Sequence, residues 1–103
     1  MSEALSKKYW ECCKEWLEHN KTAHFMEEMK SATLSQMMMK QGDVPVSKAE
    51  MLVKASEEWA EYIKLMCASR ASANEAKCKI EFIRMKAAEQ QSAEATARLE
   101  MKL

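Results

Sequence analysis

The sequence predicts an all-α fold, a helical hairpin with one long C-terminal helix packed as a coiled-coil-like oligomer. Three observations carry this. Only one Gly and one Pro occur in 103 residues, too few for the tight turns that end each strand of a sheet protein. Ala, Glu, Lys, Met, Gln and Leu dominate, and these residues lose least free energy on entering a helix. From Ser47 onward neither Gly nor Pro interrupts the chain.

The first helical stretch, SEALSKKYWECCKEWLEHN, carries Leu5, Tyr9, Cys12 and Trp16 at helical spacing. Trp10, Cys13 and Leu17 lie one position round, which predicts a broad apolar face on a helix over about 3–19. His19-Asn20-Lys21-Thr22 follows, and Asn and Thr both favour caps over helix interiors, so a break or kink is expected there. Phe25, Met26, Met29, Thr33 and Met37 resume the helical spacing over about 22–40 and lead into Met37-Met38-Met39.

The strongest punctuation is QGDVPVS, a turn over 41–47. Gly42 supplies a left-handed residue past the helix end, Pro45 cannot continue that helix, and Val44 and Val46 favour extended backbone. Ser47 precedes Glu50 by three residues, a capping-box pattern that starts a helix at about 48. That helix runs to about 100, either unbroken or restarted at Ser56, where Glu57 and Glu58 would occupy the favoured first turn. One seam reads Leu52, Trp59, Met66, Ala73, Ile80, Ala87, Glu94, Met101; its companion reads Ala55, Tyr62, Ser69, Ala76, Ile83, Gln90, Ala97. As a single helix this segment spans roughly 85 Å and needs another helix along its seam. The whole chain is expected to be one helical domain over 1–103. Ile63, Leu65, Phe82 and Met85 remain on a second flank, so self-association is expected, a homodimer before a larger oligomer.

Composition narrows function. Sixteen basic and sixteen acidic residues leave no global field to hold nucleic acid or an anionic membrane. No stretch reads as a signal peptide or a membrane span, so a cytoplasmic protein without a membrane partner is expected. The single glycine rules out a phosphate-cradling loop, and no GxSxG, HExxH or kinase-type motif occurs. His19 and His24 are five apart, a poor helical spacing for converging on one atom, so no enzyme and no cofactor are expected. Cys12, Cys13, Cys67 and Cys78 lack metal-ligand spacing and read as reduced thiols.

Candidate functional residues are therefore surfaces. Arg70, Lys77 and Arg84 recur every seven residues on one flank of the seam, with Lys79 and Lys86 on the other. Such charges pair helices through the acids Glu11, Glu15, Glu18, Glu27 and Glu28 of the first half, or they contact phosphates in a salt-dependent way. Trp10, Met37, Met38 and Phe82 are candidates for partner binding, because Trp centres interfaces and Met adapts to partners. The bland alternative for each is core packing.

The series YWECCKEWLEH, KTAHFMEEMK, VPVSKAEMLVKASEEW and QQSAEATARLEMKL, taken in order, resembles small all-helical proteins of tailed temperate phages. Those proteins tend to be encoded in early or recombination regions. The resemblance implies a phage accessory role in a bacterial host cell and transfers no catalytic residue. The expectation is thus a non-enzymatic interaction protein, an adaptor or inhibitor of a host or phage protein of DNA metabolism. Direct nucleic-acid binding is the alternative, and a structural or scaffold oligomer is the third.

Overall fold

The computed structural model describes residues 2–102. Three helices occur among them and no strand: α1 (Glu3–Met39), α2 (Val46–Lys54) and α3 (Glu57–Lys102). α1 and α3 run antiparallel as a rod of 84 × 19 × 18 Å. Its radius of gyration of 23.2 Å compares with about 13 Å for a compact domain of this length.

The rod follows from the seams. On α1 the inward row is Leu5, Tyr9, Cys12, Trp16, His19, Ala23 and Met26, separated alternately by four and three residues; each is buried or half-buried. On α3 the row is Trp59, Tyr62, Met66, Ser69, Ala73, Ala76, Ile80, Ile83 and Ala87, again all buried or half-buried. Two rows at a period of 3.5 pack two helices along their length. At mid-rod Ala23, Ala73 and Ala76 have no exposed surface, and such small side chains let the axes approach closely. Large residues gather at the two ends: Cys12, Ile80 and Ile83 with Leu5, Tyr9 and Trp16 at one, Met37, Val53 and Trp59 with Leu34, Tyr62 and Ile63 at the other.

Several local expectations are corrected. α1 passes through His19–Thr22 without a break. The Asn20 side chain accepts from Arg70 (2.9 Å), the Thr22 hydroxyl donates back to the Glu18 carbonyl (3.2 Å), and Ala23 is sealed in the seam. Tertiary contact outweighs the weak local preference for a cap. The apolar face of α1 is a narrow seam rather than a broad one, since a single partner helix covers only one strip and leaves Trp10 and Leu17 outside.

At the turn, Gly42 has φ +84°, the left-handed conformation that favours glycine. α2 starts at Val46, two residues before the expected position. Pro45 with φ −58° is its N-cap, no side chain caps it, and Ala49 N–H donates to the Pro45 carbonyl (2.9 Å). The Ser47–Glu50 capping box is absent; Glu50 instead pairs with Lys54 (2.8 Å). Ser56 does restart the chain: its hydroxyl donates to the Val53 carbonyl (2.6 Å) and accepts from Trp59 N–H (3.2 Å). The restart shifts the helical phase. Val53 rather than Leu52 points inward from α2, and the α3 seam begins at Trp59.

Candidate functional site

The basic column is built into the hairpin. Arg70 forms a two-pronged pair with Glu27, Nε to Oε2 at 2.9 Å and Nη2 to Oε1 at 2.6 Å, while Nη1 donates to Asn20. A planar guanidinium suits this arrangement. The Arg70 hydrogen bonds hold the Glu27 carboxyl below its usual range, and Glu27 raises the Arg70 guanidinium above its own. Arg84 donates from Nε and Nη2 to the Tyr9 hydroxyl (3.2 and 3.0 Å), which raises the guanidinium above its ordinary value, and its guanidinium carbon lies 5.8 Å from the ring centroid. On the opposite flank Lys79 lies 3.6 Å from Glu15 and 3.8 Å from Glu75, and Lys86 lies 3.6 Å from Glu89. Lys77 and Arg84 have no ion-pair partner among the described residues, Arg84 being held by the Tyr9 hydroxyl instead. The column thus lies along the edges where α1 and α3 meet.

The apolar candidates divide. Met37 is buried against Val53 and Trp59, and Met38 is half-buried at the same cluster. Met39, which the sequence reading did not single out, is 82% exposed. Burial of Met37 follows from phase: of three consecutive side chains α1 centres only one on α2 and α3, leaves Met38 at the edge of the cluster and turns Met39 out. Trp10 is 60% exposed, with Lys14 Nζ 6.0 Å from its ring centroid. Leu17 and Phe25 are 54% and 64% exposed, and the three occupy an arc of about 80° on α1. Between this face and α3 lies a groove of about 310 Å³ whose floor is Trp16 and Ile80 and whose rim includes Leu17, Lys77 and Arg84. Leu17 and Phe25 were not singled out either; their spacing from Trp10 was the available signal.

Phe82 stands on the other flank. It is 54% exposed, lies under Lys86 Nζ at 5.6 Å, and joins Leu5, Cys12 and Ile83 in a groove of about 590 Å³ whose charged rim is Lys8, Lys79, Lys86 and Glu75. Aromatic and aliphatic walls with a cationic rim can hold an apolar helix face that carries acids.

All four thiols are free, Cys12 buried and Cys67 and Cys78 exposed. Among the described residues no three of His, Cys, Asp or Glu gather as metal ligands would, and no helix is long and apolar enough to cross a membrane. No protein-family model, curated protein or solved structure matches the chain.

Proposed function

We propose that the protein is a non-enzymatic interaction module that presents one side of α1 to an amphipathic helix of a protein partner. The observation that carries this reading is the row Trp10, Leu17 and Phe25, each more than half exposed on one side of a rigid helix. Large apolar side chains grouped on a surface favour an interface, and Trp is enriched among residues whose truncation weakens binding most. The adjoining groove over Trp16 and Ile80 gives a partner side chain a place to insert. A rod whose seam is complete beneath this face need not rearrange to bind, which reduces the ordering cost of association.

The pairing of Arg70 with Glu27 and of Arg84 with Tyr9 favours protein over nucleic acid as the ligand, because both guanidinium groups already have partners in the chain. The resemblance to phage accessory proteins adds proteins of DNA metabolism as the first class to test, with this chain as adaptor or inhibitor.

The test is capture from a bacterial lysate with and without nuclease, comparing the native protein with Trp10→Ala/Leu17→Ala. A stoichiometric protein that survives nuclease and is lost with the double variant supports the reading. Capture that vanishes with nuclease moves the weight to Lys77 and its neighbours as phosphate contacts, and capture indifferent to the double variant contradicts the assigned face.

A further inference from the structure

α3 outruns its partner helix. α1 is capped at Ser2, whose side chain accepts from Leu5 N–H (3.2 Å), and Ser2 lies beside Gln90, Gln91 and Glu94. From Ala95 to Lys102, about 12 Å of helix, α3 has no α1 beside it. An isolated helical end of this length is marginal in water. The chain also exposes 7960 Å², whereas a compact monomer of its 11.9 kDa mass exposes about 5,900 Å². The excess, about 2,000 Å², is more than twice the roughly 800 Å² that each partner buries in a standard stable interface.

The charges along α3 indicate what covers this surface. Phe82, Ile83, Lys79 and Lys86 line the 590 Å³ groove with Leu5, Cys12, Cys78, Lys8 and Glu75; Lys79 and Lys86 make only long, half-exposed pairs (3.6–3.8 Å) with acids of their own chain and keep donors for a further carboxylate. Continuing along the same half of the helix circumference, α3 presents Ala93, Glu94, Ala97, Glu100 and Met101. One face therefore has an aromatic half above the hairpin in which three lysines outnumber Glu75, and an acidic, small-residue half that starts beside Ser2 and runs into the overhang. Glu94, Glu100 and Lys8 have no ion-pair partner among the described residues. Such a face is complementary to itself when two copies run antiparallel, the requirement for an isologous two-fold interface.

We propose that a second copy of this chain occupies the groove, antiparallel, with the two-fold axis near Gln90. In that register Glu94 meets the partner subunit's Lys86, Glu100 meets the partner subunit's Lys79, and Ala97 packs on the partner subunit's Phe82. Met101 then lies over the partner subunit's Cys78. Each overhang becomes an additional helix across the other copy's open end. The Trp10 face is on the opposite flank and stays free.

Light scattering over a concentration series of the full chain is expected to give a dimer of about 24 kDa, twice the 11.9 kDa chain. Lys79→Glu/Lys86→Glu and, separately, Glu94→Lys/Glu100→Lys each weaken self-association roughly tenfold or more, as expected on placing like charges together. Glu100 lies beyond the N-terminal end of α1 and Glu94 beside its cap at Ser2, both fully outside the buried seam and without an ion pair among the described residues, so this pair leaves the hairpin core intact. Mixing the two reversed variants restores a heterodimer, because every contact is then complementary again. Under copper–phenanthroline oxidation Met101→Cys links two chains through Cys78, and the link is lost on adding Cys78→Ser. A monomer at all concentrations, a dimer indifferent to both reversals, or a Met101→Cys link that survives Cys78→Ser overturns the proposal.

Discussion

The two ends of the rod solve one problem differently. At the turn end a short third helix, α2, lies against both long helices and contributes Ala49 and Val53 to the core. Val53 is the largest side chain with less than 2% exposure, Trp59 stacks on Tyr62 at 5.6 Å, and the Tyr62 hydroxyl donates to the Met26 carbonyl (2.6 Å). At the open end Ile80, Ile83 and Cys12 are covered by one helix facing another, and grooves flank them on both sides. The difference shows what a two-helix hairpin lacks. Its seam can be sealed, but the flanking apolar residues need a third element, which the described residues supply at the turn end.

The largest expected effect would break the turn end. Trp59→Ala removes the stacked ring and leaves a cavity beside Val53, costing about 3–5 kcal/mol of unfolding free energy in chemical denaturation. At the open end Phe82→Ala is expected to cost less than about 1 kcal/mol in dilute protein, since the ring is half in water, while self-association falls in light scattering. A loss as large as that of Trp59 would erase the contrast between the ends.

Mid-rod, Ala73→Leu puts a larger side chain at a position with no exposed surface between α1 and α3, costing about 1–3 kcal/mol by overpacking. Ser56→Ala removes the side-chain acceptor for Trp59 N–H and costs about 1 kcal/mol; Gly42→Ala, with open space around the added carbon but φ +84°, costs about 1–2 kcal/mol. Both act on the joints that hold α2 in place, so they weaken the turn end and leave the open end unchanged. Their effects are expected in thermal unfolding and not in self-association.

The smallest effect is electrostatic. Arg70 holds the Glu27 carboxyl below its unfolded value. Its contribution is therefore complete above the unfolded carboxylate pKa and is lost as pH falls through the folded one. The pair is partly exposed, so the contribution is modest and screened by salt. A pH series of unfolding midpoints is expected to slope more shallowly on the acid side in Glu27→Gln than in the native chain.

Much of the fold was legible because it rests on period. The α3 seam from Trp59 to Ala87, the left-handed Gly42 and the restart at Ser56 are local signals that packing reinforces. Where the signal was local but the outcome tertiary, the sequence misled. Asn20 and Thr22 read as cap residues, but Arg70, fifty residues away, engages Asn20 and the helix continues. Ser47 and Glu50 match a capping box, but the fixed φ of Pro45 begins the helix earlier. Leu52 fits the heptad of α3 only if the helix is unbroken, and the phase shift at Ser56 puts Val53 inward instead.

The candidate site was less legible. Nothing in the series Met37-Met38-Met39 says which side chain faces inward until α2 is in place. Arg70 and Arg84 could be placed on one flank from spacing, but their bonds to Glu27 and Tyr9 depend on the antiparallel register of the hairpin. The apolar flanks are visible from sequence only as a surplus that one partner helix cannot hide.

Hydrogen–deuterium exchange at high and low protein concentration tests most directly whether the open end is closed by another copy. Amides in 95–102 and around Phe82 are expected to exchange faster on dilution, while those around Val53 and Trp59 keep the same protection at both concentrations. Protection of 95–102 that does not change with concentration, or loss of protection first at the turn end, would contradict that closure.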